Sequence, residues 1–332
     1  MCCRYLRSVR HISALILGLL AAAAAIAAAA TFGRGTLTQA LGTLEGVHPG
    51  WLLLAIGGFG VALVCSAMAW GAGLRACGGE APAVDVAARY SVGSLVNSFS
   101  PAHLGGAVRI GLLSRTLPGD DAVLRTCGVG AAVGAARALV LAVLVFAAAA
   151  FGDVPLWPAP IVVLVVLALL WAGTRWSKRV AGHVASALEA FRSPRTAVDL
   201  TGWVACSFAG RLGASVAVVL ALGIPHPLAV ALVMLAALAL AGLLPLTPGN
   251  FGAGAGAATL ALHGTGVGVG TALGLGMTFQ AAETCTAFLF GLAGSATLAT
   301  PGTRLRRWSV AAAGVAVLAL ATSVGVVTVD LV

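Results

Sequence analysis

The sequence predicts an all-α polytopic membrane protein with about seven full transmembrane helices plus two oppositely oriented re-entrant, broken helical hairpins, arranged as an inverted repeat. Three observations carry that expectation. Hydrophobic residues make up 60% of the 332 and charged residues 9%, with a mean hydropathy of +1.04, whereas a soluble domain has about a quarter of its residues charged. Apolar runs close to the ~20 residues needed to span hydrocarbon recur along the chain. Two of those runs are broken in the middle by Asn/Pro/Gly clusters, at residues 97–106 and 245–254. The length leaves no room for a sizeable soluble domain, and residues 1–332 read as a single integral membrane domain.

In the first half, residues 12–174, an Ala-rich run at 12–32 follows the basic residues Arg4, Arg7 and Arg10. Its length and the many later runs favour an uncleaved first helix over a signal peptide. Residues 33–49 carry Arg34, Glu45 and His48 and read as an external loop. The second span, residues 50–74, has Trp51 and Trp70 near its ends, where interfacial aromatics belong. The segment 84–113 is moderately apolar, has arginines on both flanks and breaks at 97–106. With both flanks cytoplasmic it enters and returns on one side, its irregular turn tolerated only where protein or a wet cavity satisfies it. Residues 126–151 then cross outward, and 159–174 return to the largest basic loop.

In the second half, residues 197–329, the run 197–222 crosses outward to the Gly-Ile-Pro-His-Pro turn at 223–227. Residues 228–266 repeat the earlier oddity, an apolar run, the break at 245–254 and a second apolar run. For 267–298 to end at the cytoplasmic cluster Arg304, Arg306 and Arg307, segment 228–266 must enter and leave from the outside, giving a second hairpin of opposite orientation. Residues 309–329 form the last span. The competing reading makes each broken segment a pair of ordinary kinked transmembrane helices.

The net charge of +9 comes from 19 Lys+Arg against 10 Asp+Glu. Most of the cations fall in five clusters that lie on one side of this topology, so the basic balance reflects the positive-inside rule rather than a nucleic-acid partner. It places the N-terminus in the cytoplasm, and the Ala/Gly/Arg-rich composition points to a bacterial cytoplasmic membrane. The seven cysteines are scattered without paired spacing, so neither a disulfide framework nor a metal site is indicated. Asp120 and Asp121 follow Pro118-Gly119 as a solvated helix start more simply than as half of a magnesium site. The glycine-rich stretch 264–276 lacks the Lys-Ser/Thr ending of a nucleotide loop, no Ser/His/Asp nucleophile arrangement is present, and no cofactor is expected.

Charged side chains at membrane depth cost at least about 2.5–3.5 kcal/mol on insertion scales, so they normally face a partner or cavity. Arg137, Arg211 and Glu283 lie within spans. Two cations thus compete for one anion, leaving either an arginine for an anionic lipid headgroup or an Arg–Glu pair beside a snorkelling arginine. Asn97 and Asn250 occupy matching places in the two breaks, where their amides hold a headgroup or satisfy turn backbone. Gln280 shares a helix face with Glu283. His103 reads as a proton carrier or, more simply, as a turn histidine.

Around Asn97, Pro101, Gly105 and Arg109, and again around Pro248, Gly249 and Gly252, the chain resembles the lysylphosphatidylglycerol synthase transmembrane (flippase-like) family, its membrane part only. Those residues match the family's first and third motifs by position, and Arg137 matches the second. Where the family usually carries acids, this chain has Gly106, Ala136 and Ala255. The resemblance implies a lipid translocase acting on an anionic phospholipid, an aminoacylated phospholipid or a polyprenyl-phosphate-linked lipid. With Arg211, Glu283 and Asn250 read from the spans and breaks above, the candidate binding residues are Arg109, Arg137, Asn97, Asn250, Arg211 and Glu283, and a lipid-modifying enzyme or glycosyltransferase is a candidate partner. The alternative is a membrane-embedded transferase, or an accessory subunit of a polyprenyl-phosphate-dependent glycosyltransferase.

Overall fold

The computed structural model describes residues 42, 47–100, 104–150, 193–241, 251–263 and 266–299. The expected spans 12–32, 159–174 and 309–329 lie outside the described residues. Within them the protein is all helical, with eight α-helices and a short 3-10 turn. These are α1 (Pro49–Ala76), α2 (Ala83–Phe99), α3 (Leu104–Leu113), α4 (Ala122–Ala150), α5 (Pro194–Ala221), α6 (Pro227–Ala241), α7 (Phe251–His263) and α8 (Val269–Leu298). Three helices are long and apolar enough to cross a membrane: α1, α5 and residues Ala122–Val143 of α4. α8 is longer still, at 30 residues, but glycines, threonines, Gln280 and Glu283 lower its hydropathy.

Local chemistry sets the helix ends. Pro49 and Pro194 open α1 and α5, where a missing N–H is harmless. α1 stops in a Schellman-type cap in which the Gly79 N–H bonds Leu74 O at 2.8 Å and the Gly78 N–H bonds Arg75 O at 3.0 Å. Gly78 sits at φ +86°, which a residue without Cβ adopts at little cost. Serines inside α2 return their hydroxyls to the preceding turn, as Ser91 Oγ does to Ala87 O at 2.7 Å, so they add no unsatisfied polar group in an apolar setting.

The helices pack through small residues, as expected where hydrocarbon gives no hydrophobic drive between helices. α1 and α5 form the most extensive pair and run antiparallel. His48 N–H bonds Ala221 O at 3.0 Å, Gly58 abuts Gly210 and Ala214, and Ser66 lies against Ser207. A Cβ on Gly210 would sit 3.0 Å from Gly58 O, so the close approach depends on its absence. α4 also runs antiparallel to α1, with Gly130 under Trp70 and Gly73 under Val129. Trp70, expected as an interfacial anchor, is instead buried against α4, because Gly130 leaves room for its indole.

α8 runs antiparallel to α2, with Gly291 on Leu95 and Gly294 on Ala88, and antiparallel to α7, with Gly276 on Ala255. It lies parallel to α1, where Thr286 Oγ1 donates to Ile56 O at 3.3 Å and Phe290 meets Gly60. α2 and α3 form an antiparallel pair closed by Arg89, whose Nη1 donates to Leu112 O at 2.9 Å and whose Nε donates to Asp85 Oδ2 at 2.8 Å. α6 follows α5 across a tight turn and packs with α5, α7 and α8 in one apolar core, to which α1 contributes Ala55 and Phe59. The second core joins α1, α2, α3 and α4 with Leu200 and Val204 of α5. Large apolar side chains such as Leu54, Val61, Leu139, Val143 and Leu260 point outward, a surface that a bilayer, not water, would cover.

Candidate functional site

The break expected at 97–106 falls where α2 ends and α3 begins, and that packing creates the site. Gly105 has no Cβ, and one there would collide with Asn97 and with the backbone of Gly93. α3 therefore lies close against α2 and brings Arg109 beside Ser94 and Tyr90. Arg109 Nη2 donates to Ser94 Oγ at 3.0 Å, and its Cζ stands 4.0 Å from the centre of the Tyr90 ring. Its Nε–H is buried without a hydrogen-bond partner. Buried donors normally find acceptors, so this one marks a place for an acceptor.

From α4, Arg137 reaches the same tyrosine. Arg137 Nη2 donates to Tyr90 Oη at 3.0 Å and to Ser66 Oγ of α1 at 3.1 Å. Ser66 Oγ and Ser207 Oγ lie 2.7 Å apart, and Ser207 Oγ donates to Ala62 O at 2.8 Å. Because guanidinium only donates, the bonds run in one direction, from Arg137 through Ser66 and Ser207 to a backbone carbonyl. Five helices thus contribute to one polar network around the buried Tyr90 ring. Ser66 lies ten residues before the end of α1, about 15 Å along the helix from its Arg75-bearing terminus.

Among the described residues the three acids that form ion pairs form them with other arginines. Glu283 pairs with Arg211, Asp85 with Arg89 and Asp121 with Arg125. The competition of two intramembrane cations for Glu283 is therefore resolved in favour of Arg211. Arg137 keeps only neutral partners and joins Arg109. The backbone carbonyl of Asp121 accepts the N–H groups of Leu124 and Arg125 at 2.9 and 3.0 Å in the first turn of α4, and no group of three or more metal-ligating side chains occurs among the described residues.

Of the residues singled out from the sequence, Arg109 and Arg137 come together around Tyr90, with Asn97 and Gly105 one to two turns away along the α2–α3 contact. Arg211 and Glu283 form a separate pair between α5 and α8. Gln280 is buried at the α7–α8 contact, next to Gly254. Gly252 lies in the first turn of α7. Pro101, His103, Pro248, Gly249 and Asn250 lie outside the described residues. Tyr90, Ser66, Ser94 and Ser207 were not anticipated. One signal was available for Tyr90: it is one of only two tyrosines in the chain and the only one within an apolar segment.

This geometry defines a multi-pass, membrane-embedded helical protein with a cationic polar cluster buried among its helices. The chain belongs to the family described as the lysylphosphatidylglycerol synthase TM region, whose model matches residues 15–291. No curated protein matches it. The family suggests a lipid-related role in the membrane.

Proposed function

We propose that the chain is a lipid translocase of the bacterial cytoplasmic membrane, with its N-terminus in the cytoplasm, that carries a lipid with an anionic group in its head across the bilayer. The candidate cargoes are an anionic phospholipid, an aminoacylated phospholipid or a polyprenyl-phosphate-linked lipid. One observation carries this reading: two guanidiniums converge on Tyr90 at membrane depth, and no carboxylate among the described residues neutralises them. Arginine stays charged and grips phosphate oxygens through paired N–H groups.

The helix directions support the accompanying topology of about seven spans and two hairpins. Relative to α1, α8 is parallel while α4 and α5 are antiparallel, as crossings alternating in and out require. α2 and α7 both run against α8. Near the end of α2, Leu95 packs on Gly291 of α8, and near the start of α7, Gly254 packs on Gln280, so both broken segments pack along α8, as two re-entrant elements of an inverted repeat would. Asn97 and Asn250, at those ends, would orient the headgroup. A transferase or glycosyltransferase accessory would want clustered acids at the cytoplasmic face, and Asp121 is already engaged by Arg125.

The test is headgroup accessibility in proteoliposomes containing the full-length protein and fluorescent lipids. Arg137→Ala, produced at equal level and folded, is expected to abolish movement. Movement at the unmutated rate would remove Arg137 from the site, and no movement by the unmutated protein would remove the translocase reading itself.

A further inference from the structure

We propose that the Arg109–Arg137 site takes a phosphate monoester headgroup, a dianion, in preference to a singly charged phosphodiester, and rejects a headgroup that carries an ammonium; this inference rests on the translocase reading for its lipid source.

The charge count is the first support. Two guanidiniums share one tyrosine, and every acid that pairs with an arginine among the described residues pairs with a different one. Two guanidinium charges side by side in a low-dielectric setting are stabilised most by a ligand of charge −2. A phosphate monoester carries about −1.5 to −2 near neutrality and offers three acceptor oxygens. A phosphodiester carries a single charge, and an amine-bearing headgroup would set a third cation beside two that have no acid to offset them among the described residues.

Donor geometry is the second. Arg109 gives Nη2 to Ser94 and lays its face on the Tyr90 ring, leaving the buried Nε–H unpaired. Arg137 commits only Nη2 among the described residues, its Nε and Nη1 having no partner among them. The site thus offers donors from two helices, α3 and α4, which the three terminal oxygens of a monoester can meet from more directions than the two of a diester.

Space is the third. One helical turn before each arginine stands a glycine, Gly106 before Arg109 and Gly134 before Arg137. A Cβ at either would have nothing within 4 Å. Residues three apart lie on one helix face, so among the described residues nothing crowds the stem of either guanidinium on that side. Tyr90 occupies the space between them as a neutral stand-in whose Oη already accepts from Arg137.

The experiment uses the full-length protein with phosphatidic acid and a short polyprenyl phosphate as monoesters, phosphatidylglycerol as a diester and lysyl-phosphatidylglycerol as the ammonium-bearing lipid. Each is scored for movement in proteoliposomes and for thermal protection of the protein in neutral detergent, with inorganic phosphate as a lipid-free arm. Since a hydrogen bond to a charged group contributes about 1.5–3 kcal/mol, the monoesters are expected to protect at concentrations at least about tenfold lower than phosphatidylglycerol. Lysyl-phosphatidylglycerol is expected neither to protect nor to move. Arg109→Gln and the milder Arg137→Lys, each shown by a cooperative melting transition in lipid-free detergent to be folded, are both expected to erase the preference.

Protection by inorganic phosphate alongside the monoesters supports the phosphate chemistry and assigns it to the free anion as well as to lipid. Lysyl-phosphatidylglycerol binding or moving as well as phosphatidic acid overturns the proposal and leaves the translocase reading standing. Monoester protection without movement of any lipid supports the proposal and overturns the translocase reading. Absence of protection by any monoester overturns the proposal.

Discussion

Tyr90 holds two cations that would otherwise repel. Its ring faces Arg109 and its hydroxyl oxygen accepts from Arg137, so the two contacts can be removed separately. Tyr90→Phe keeps the ring and deletes the acceptor, and is expected to cost about 1.5–3 kcal/mol, the range for a hydrogen bond to a charged group. Tyr90→Leu also removes the cation–π contact and is expected to cost up to about 2 kcal/mol more. Denaturation of the detergent-solubilised protein measures both; equal losses would mean that the ring contact contributes nothing. The Arg211–Glu283 pair, each side chain 36% exposed, behaves differently. Removing one partner strands a charge, whereas replacing both with leucine strands none. Glu283→Leu or Arg211→Leu alone is therefore expected to destabilise more than the double variant, with a coupling of about 0.5–3 kcal/mol in a double-mutant cycle. Strict additivity would show that the pair is not formed in the membrane.

Sequence reading located the charges and not their partners, for a physical reason. The cost of a membrane arginine depends on the residue alone and is legible along the chain. The groups that satisfy it here come from positions 47 and 71 residues away, on helices whose relative rotation is set by packing. Serines and a tyrosine in an apolar run carry no signal of that rotation. Arg109 lies only six residues before Arg115 and reads along the chain like part of the same basic flank, yet the short α3 folds it back onto α2.

The helices themselves were more legible than their contacts. α1, α4 and α5 follow from uninterrupted apolar runs, and the α2–α3 break follows from Pro101 with its polar neighbours, since proline disfavours helical backbone at the residue before it. What pairs with what was not legible, because the faces are defined by glycine and alanine, which are frequent everywhere in this chain. Two outcomes test the α1–α5 pairing. Cys65 Sγ and Cys206 Sγ lie 3.3 Å apart, so a membrane-permeant thiol oxidant is expected to join them, seen as a cross-linked peptide by mass spectrometry. Gly210→Val would push a side chain into Gly58 O and Ala62 N and is expected to destabilise by about 1–3 kcal/mol, the range for overpacking. Failure of both would mean that α1 and α5 are not in this register.

Among the described helices, the alternation of directions sets which ends share a side of the bundle, and the proposed topology assigns those sides to the two faces of the bilayer. In a cysteine-free variant of the intact protein, a cysteine placed at His226 is expected to react with a membrane-impermeant thiol reagent added outside the cell. One at Arg115 is expected to react only after permeabilisation. The reverse pattern would invert the topology, and labelling of both from one side would dismantle it.

The two apolar cores are each shared between the halves of the chain, with α1 and α5 running through both. Ala62 accepts from Ser207, 145 residues later in the sequence. At synthesis rates of about 5–20 residues per second, α1 waits about 7–30 seconds in the membrane before its partner emerges. No charged residue lies between Pro49 and Gly73, and Ser66 can bond back within its own helix until Ser207 arrives. The waiting helix is therefore stable in lipid on its own. The face that must later receive α5 is kept small and nearly apolar for the interval, so it presents little for another passing helix to seize.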